Sequence, residues 1–318
     1  MKILILGAGA VGGYFGGRLV EAGADVTFLV RPARAARMAK DGLRVKSRAG
    51  DIARPVQLVT QDALKPGWDL VIFTAKAYDL SSAMDAIAPA VGGGCLVLPL
   101  LNGMLHLDVL DARFGREHVL GGVAYVSSTL AADGSIVHLG DFHKIAFGVR
   151  RGQPAAVAQK SLAVCKTLEA LFARTPVDVN LSESIEQTMW DKWVMLASIA
   201  GMTCLMRAAI GDIVATTAGE RLMRSILAEC ASVARAEGHP VGDTQLDAHR
   251  KMLTQKGSAA TASMLRDTEN GGATEADHVL GAMLALAAKH AVPAPTLEIA
   301  YTHLQAHAAR RVRESQRT

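Results

Sequence analysis

Four short apolar runs mark the first hundred residues: KILILG (2–7), DVTFLV (25–30), DLVIFTA (69–75) and CLVLPL (95–100). Each is continuously apolar rather than spaced at helical intervals, and so reads as a strand buried on both faces. Between the first two lies AVGGYFGGRLVEAG, a connection of helix length. The alternation predicts parallel strands joined by right-handed crossovers, hence a doubly wound, Rossmann-like α/β domain. From about residue 121 the texture changes to GGVAYVSSTL, GSIVHLG and KIAFGV, with Asp133-Gly134 as a hairpin signal between two of them. The sheet is therefore expected to end in antiparallel strands.

Past Pro176 one more short strand, VDVNL (177–181), is expected, and the remainder reads as helix. Alanine, leucine and methionine recur at helical spacing in AGERLMRSILAECASVARAEG (218–238) and TEADHVLGAMLALAAKHAV (274–292). Gly238 followed by Pro240 is a helix stop. The pattern places an α/β domain over residues 1–181 and an all-helical domain over 182–318, the second suited to substrate binding and to homodimer formation.

Composition alters this picture little. Of the 318 residues 50% are hydrophobic and 20% charged, which suits folded domains rather than disorder. The net charge is +4, and the dense basic segments, Arg31 to Arg48 and the tail from Arg310, are not interleaved with aromatics. No nucleic-acid partner is expected. Cys95, Cys165, Cys204 and Cys230 are scattered without a C-x-x-C, which reads as reduced thiols in the cytoplasm. MKILILGAGAVGG superficially resembles a signal peptide, but Arg18 and Glu21 follow without a cleavage site. The apolar run Trp193–Met206 is too short to span a bilayer, so no membrane role is expected. His303 and His307 lack a glutamate and a third ligand, so no metal is expected. The basic tail ARRVRESQRT carries no pattern of its own, and disorder is the default for a terminus.

Chemistry enters with Gly7-Ala8-Gly9-Ala10-Val11-Gly12, a G-x-G-x-x-G directly after a strand and opening a helix. Gly7 permits the tight turn, Gly9 lets the backbone approach a pyrophosphate, and Gly12 lets helix and strand pack closely. Gly13, Gly16 and Gly17 extend a small-residue face for packing. An NAD site wants a carboxylate at the end of the second strand. That end reads FLVRPAR, with Arg31 in place of a carboxylate. A guanidinium suits a 2′-phosphate, so NADPH is favoured, with Arg31 on that phosphate. Arg34 and Arg37 read as a solvated basic loop.

Further segments, in order along the chain, resemble the ketopantoate reductase (2-dehydropantoate 2-reductase) family. They are FTAKAYD with Lys76, LLNGM with Asn102, MWDKW with Lys192, and SMLRDTENGGATEAD with Ser263 and Glu275. The resemblance covers nearly the whole chain. It implies NADPH-dependent reduction of a 2-keto acid, with Lys192 as general acid and Glu275 as its catalytic partner. It further implies that Asn102 and Lys76 position cofactor and substrate, and that Ser263 binds substrate. Taken singly, Asn102-Gly103 is a turn and Glu275 a first-turn helix carboxylate. A lysine serves as the acid if burial against Trp190 and Trp193 lowers its pKa.

One departure bears on the substrate. Where the family places asparagines four and eight residues after its lysine, this chain has Leu196 and Ala200. An apolar residue gives up the discrimination that an amide supplies to a hydroxylated substrate. Ser198 and Thr203 point elsewhere on an ideal helix. Ketopantoate and a less polar keto acid therefore both stand as substrates, beside a non-catalytic NADPH-binding sensor.

Overall fold

The computed structural model describes residues 1–316, which form two compact units. The first joins Met1–Leu101 to His106–Thr188, and the second joins Asn102–Leu105 to the chain from Met189 onward.

The first unit begins as its apolar runs require. β1 (Lys2–Leu6), β2 (Asp25–Leu29), β6 (Leu70–Phe73) and β7 (Leu96–Pro99) follow the predicted strands, with α1 (Ala10–Glu21), α2 (Pro32–Asp41) and α3 (Leu80–Ile87) among the connections. Between α2 and β6 run three short strands, β3 (Leu43–Lys46), β4 (Ile52–Arg54) and β5 (Gln57–Val59). The main sheet has the order β5-β2-β1-β6-β7, parallel throughout. After α4 (Leu105–Phe114), β8 (Gly121–Leu130) and β9 (Ile136–Gly148) form the expected hairpin, and α5 (Ala155–Phe172) leads to β10 (Asp178–Leu181).

The hairpin does not extend the main sheet, as the sequence had suggested. It belongs to a second sheet of order β10-β9-β3-β4, with β8 paired to β9. The reason lies in α1, which is apolar nearly all round and has to be covered on two sides. A Cβ on Gly16 would fall 2.5 Å from Ile5 and 2.6 Å from Phe28 of the main sheet. One on Gly13 would fall 2.1 Å from Ile136 of the second. The glycines thus admit a sheet on each side of the helix.

A polar group of side chains is enclosed in this layer. Opposite a register shift in β8, residues 139–142 of β9 leave the ladder, and His138 and His143 turn inward on either side of them. His143 Nδ1 meets the hydroxyl of buried Tyr14, and His138 Nδ1 lies 3.0 Å from Ser47 Oγ. Arg18, 1% exposed, lies 5.3 Å from the Tyr14 ring centroid and donates to Glu21 and to the Gly50 carbonyl, both at 2.7 Å.

The second unit is helical: α6 (Ile185–Met206), whose first turns belong to the first unit, then α7 (Ile210–Val214), α8 (Gly219–Ala236) and α9 (Asp243–Leu253). α10 (Ser263–Glu269), a π-helical turn over Asp277–Gly281, α11 (Ala282–Lys289) and α12 (Pro295–Ser315) complete it. Its core gathers Trp193, Val194, Ala197, Met202, Ile226 and Leu280. The basic tail departs from the default of disorder: α12 continues to Ser315, supported by an Arg310–Glu314 pair of 2.8 Å at helical spacing, while Arg317 and Thr318 lie outside the described residues. Among the described residues no helix is long and apolar enough to cross a membrane.

Burial, then the nearby His138 and Arg18, lower the pKa of His143, with Asp178 and Asp141 opposing. The folded state therefore holds His143 neutral while the unfolded chain takes up a proton near its ordinary pKa of about 6.5. This contribution to stability is full above that pH and is lost as pH falls through the lower, folded value. Thermal melts of the wild type should show Tm declining on acidification below about 6.5. The decline should be shallower in His143→Asn, which has no imidazole to titrate.

Candidate active site

The glycine turn is held from behind. Gly7 sits at φ +89°, a conformation that strains any side-chain-bearing residue. A Cβ on Gly12 would stand 2.4 Å from both the Gly7 carbonyl oxygen and Thr74 Oγ1. Three hydroxyl or guanidinium groups take alternate carbonyls along the turn: Thr74 donates to Leu6 at 2.7 Å, Arg34 to Ala8 at 3.0 Å and Ser128 to Ala10 at 3.0 Å. With those three carbonyls engaged, the turn leaves the first N–H groups of α1 for a ligand. Gly9 is the N-cap, with no side-chain cap and no acidic residue in the following turn. No atom lies within 4 Å of where its Cβ would be. That open, donor-rich terminus fits a pyrophosphate, and Gly7, Ala8, Gly9, Ala10, Val11 and Gly12 are the residues that would hold it.

The arginines separate into two kinds. Arg31 is the N-cap residue of α2, with its side chain 82% exposed and 3.6 Å from Asp79. Arg34 is not solvated as the sequence had suggested. Its guanidinium also donates to Gly134 at 3.0 Å, and burial, then Arg37 and Arg44, lower its pKa. It ties the β8–β9 turn to the glycine turn. Arg37 stays exposed, as that reading has it, and donates to the Ala132 carbonyl at 3.1 Å. Lys76, half-buried, precedes the 3₁₀ turn Ala77–Asp79 in the same unit.

In the second unit three residues distant in sequence meet. Lys192 Nζ donates to Asn102 Oδ1 at 3.0 Å, and Asn102 Nδ2 donates to Glu275 Oε2 at 3.4 Å. The amide thus faces the ammonium with its oxygen and the carboxylate with its nitrogen. Gly103, at φ +79°, lets this segment approach closely, since a Cβ there would lie 2.9 Å from the His278 carbonyl oxygen. Lys192 as a whole is half-buried, but its ammonium is desolvated. Burial lowers its pKa from 10.5 to about 8, and the charge of Glu275 partly opposes this. His278 is also buried, and its pKa is lowered by burial against the opposing charge of Glu275.

The backbone beneath this cluster is pinned residue by residue. Trp190 stacks on His239 at 5.5 Å and packs on Trp193 at 4.9 Å. His249 Nε2 donates to the Asp191 carbonyl at 2.9 Å. Trp193 Nε1 donates to the Val279 carbonyl at 2.9 Å, inside the π turn that begins two residues after Glu275. Tyr301 steadies the same turn, donating to Asp277 at 2.9 Å while its ring occupies the space where a Gly281 Cβ would lie. Nothing in the sequence signals a π turn, because one inserted residue leaves the helical apolar pattern intact on either side.

Ser263 is exposed at the first position of α10. Leu196, one turn after Lys192, is half-buried, and Ala200 is 1% exposed within the helical core. Ser198 and Thr203 are buried and donate to the Val194 and Ile199 carbonyls, so neither replaces a missing amide.

Comparison with known proteins identifies the family. The family described as "Ketopantoate reductase PanE/ApbA" matches residues 3–152, and its C-terminal counterpart matches residues 184–308. The chain belongs to the ketopantoate reductase family. It is 36% identical over 309 residues to "Uncharacterized oxidoreductase YkpB" of Bacillus subtilis, covering 97% of this chain and 99% of that protein. It is 27% identical to the 2-dehydropantoate 2-reductase of Halobacterium salinarum, covering 93% and 95% of the two chains. A crystal structure of 2-dehydropantoate 2-reductase from Geobacter metallireducens superposes with a TM-score of 0.85 at 29% identity, over 96% of this chain and 99% of that one. The ketopantoate reductases are oxidoreductases that use a nicotinamide dinucleotide.

If the indole bond fixes the π turn, Trp193→Phe leaves the Val279 carbonyl buried without that donor. The variant should lose about 1–3 kcal/mol of stability, beyond any loss from packing. Urea denaturation followed by far-ultraviolet circular dichroism measures this.

Proposed function

We infer that this chain reduces a 2-keto acid to the 2-hydroxy acid with NADPH, and that 2-dehydropantoate is the substrate its family membership favours. The observation that carries the reading is the Lys192–Asn102–Glu275 chain, in which a desolvated ammonium with a pKa of about 8 is held through one amide to a carboxylate. The glycine turn would hold the dinucleotide, with Arg31 for its 2′-phosphate, and the bound group would supply the hydride. As hydride adds to the carbonyl carbon, the developing alkoxide needs a proton, which Lys192 Nζ donates. A lysine with a pKa lowered to about 8 gives up that proton more readily than an ordinary one, yet remains mostly protonated at pH 7. Asn102 orients the ammonium, Glu275 keeps it charged and helps bind substrate, and Lys76 and Ser263 contribute to positioning.

Leu196 favours a second reading, a keto acid less polar than ketopantoate. It retains exposed surface one helical turn from Lys192, where an isobutyl group offers no hydrogen bond to a substrate hydroxyl. Ala200 lies inside the core, so position 196 is the one able to discriminate. Comparing kcat/KM across a panel of 2-keto acids with and without a distal hydroxyl separates the two. Leu196→Asn should raise the relative preference for the hydroxylated acid by about tenfold.

The proton donor must be charged to act, so kcat for reduction should fall as pH rises through about 8. Glu275 raises the Lys192 pKa, so Glu275→Gln should move that limb to lower pH as well as slow the reaction. Lys192→Ala should lose about 10²–10⁴-fold in kcat. NADPH consumption without any keto-acid dependence, or a limb that Glu275→Gln leaves in place, would contradict this assignment.

A further inference from the structure

The end of β2 carries no carboxylate, yet the fold brings one there. Asp79 stands after β6, and in the main sheet β2 and β6 flank β1 on opposite sides. For Arg31 and Asp79 to come within 3.6 Å, the segments after β2 and β6 must meet beyond the carboxyl end of β1, where the glycine turn begins. The charge pair therefore spans the region where the adenosine half of a dinucleotide on that turn would lie. Asp79 occupies the N-cap position of α3 but makes no side-chain capping bond there. Its carboxylate and the Arg31 guanidinium are 43% and 82% exposed, open to a ligand as well as to each other.

We propose that Asp79 is a specificity-determining residue that narrows the preference of this site for NADPH over NADH. The proposal rests on the reading that Arg31 receives the 2′-phosphate. A phosphate seated on that guanidinium lies close to the Asp79 carboxylate, and like charges at such a distance repel. A ribose with a free 2′-hydroxyl is a hydrogen-bond donor instead, and a carboxylate accepts from it. Asp79 thus supplies, from the segment after β6, the acceptor missing after β2. One pair then serves both dinucleotides: Arg31 for the phosphate and Asp79 for the hydroxyl.

The test is direct titration of the dinucleotides without keto acid, by protein fluorescence or calorimetry, on wild type, Asp79→Asn and Arg31→Ala. Asp79→Asn should tighten NADPH binding by about tenfold and leave NADH unchanged or weaker, so that the ratio of dissociation constants moves toward NADPH. Arg31→Ala should weaken NADPH selectively. The proposal is overturned if Asp79→Asn weakens NADPH, since Asp79 would then only be holding Arg31 in place. It is also overturned if the variant shifts both dinucleotides in parallel or neither. Wild-type protein that binds no dinucleotide sinks both this proposal and the functional reading. A shift of the expected sign in a protein that reduces no keto acid overturns only the reading of the reaction.

Discussion

An ammonium withdrawn from water either finds partners or gives up its proton, and the second unit is arranged around that constraint at Lys192. Burial alone drives the lysine toward neutrality, whereas the nearby carboxylate of Glu275 draws it back, and about 8 is where the two effects settle. That balance depends on distance. It holds only while the carboxylate and the ammonium stay on either side of the same amide. The interlocking of α6 with the π turn, through the Trp193 indole and the Val279 carbonyl, fixes that separation. Tyr301 on Asp277 and His249 on the Asp191 carbonyl brace the same two segments from other helices.

A corresponding logic governs the glycine turn of the first unit. A ligand-binding turn has to present N–H groups while remaining stiff, and a run of small residues supplies no stiffness of its own. The stiffness comes from Thr74, Arg34 and Ser128, each on a different element, which occupy the carbonyls of Leu6, Ala8 and Ala10. Arg34 does more than cap a carbonyl. By reaching Gly134 as well it couples the turn to the second sheet, whose enclosure of α1 is the reason for the string of glycines in that helix.

How much of this was legible beforehand followed the range of the interactions. Four of the five strands of the main sheet showed as continuous apolar runs, because burial on both faces leaves no room for polar alternation; the edge strand β5, a three-residue QLV, did not. β3 and β4 did not, since LRVK and IAR are short, carry basic residues, and become strands by pairing with each other and, for β3, with β9. The hairpin turn at Asp133-Gly134 was readable, but not which sheet it joins, as that is settled by the packing of α1. The order of the tail was not readable, because a terminal helix whose Arg310–Glu314 pair is exposed has little apolar pattern to announce it.

The sequence by itself determined the alternation of strands and helices, the helical character of the second half, the glycine turn, and a family likeness that singled out Lys192, Asn102 and Glu275. These are local patterns, or motifs carried in order along the chain, and both survive in one dimension. The tertiary structure decided what those residues can do to one another. Lys192 and Asn102 are 90 residues apart and Asn102 and Glu275 are 173 apart, so their hydrogen bonds exist only once the helices are packed. The same holds for Asp79, which the chain places after one strand and the sheet order places beside the arginine of another. Electrostatic interaction depends on separation in space and on burial, and neither is written in the spacing of residues along a chain.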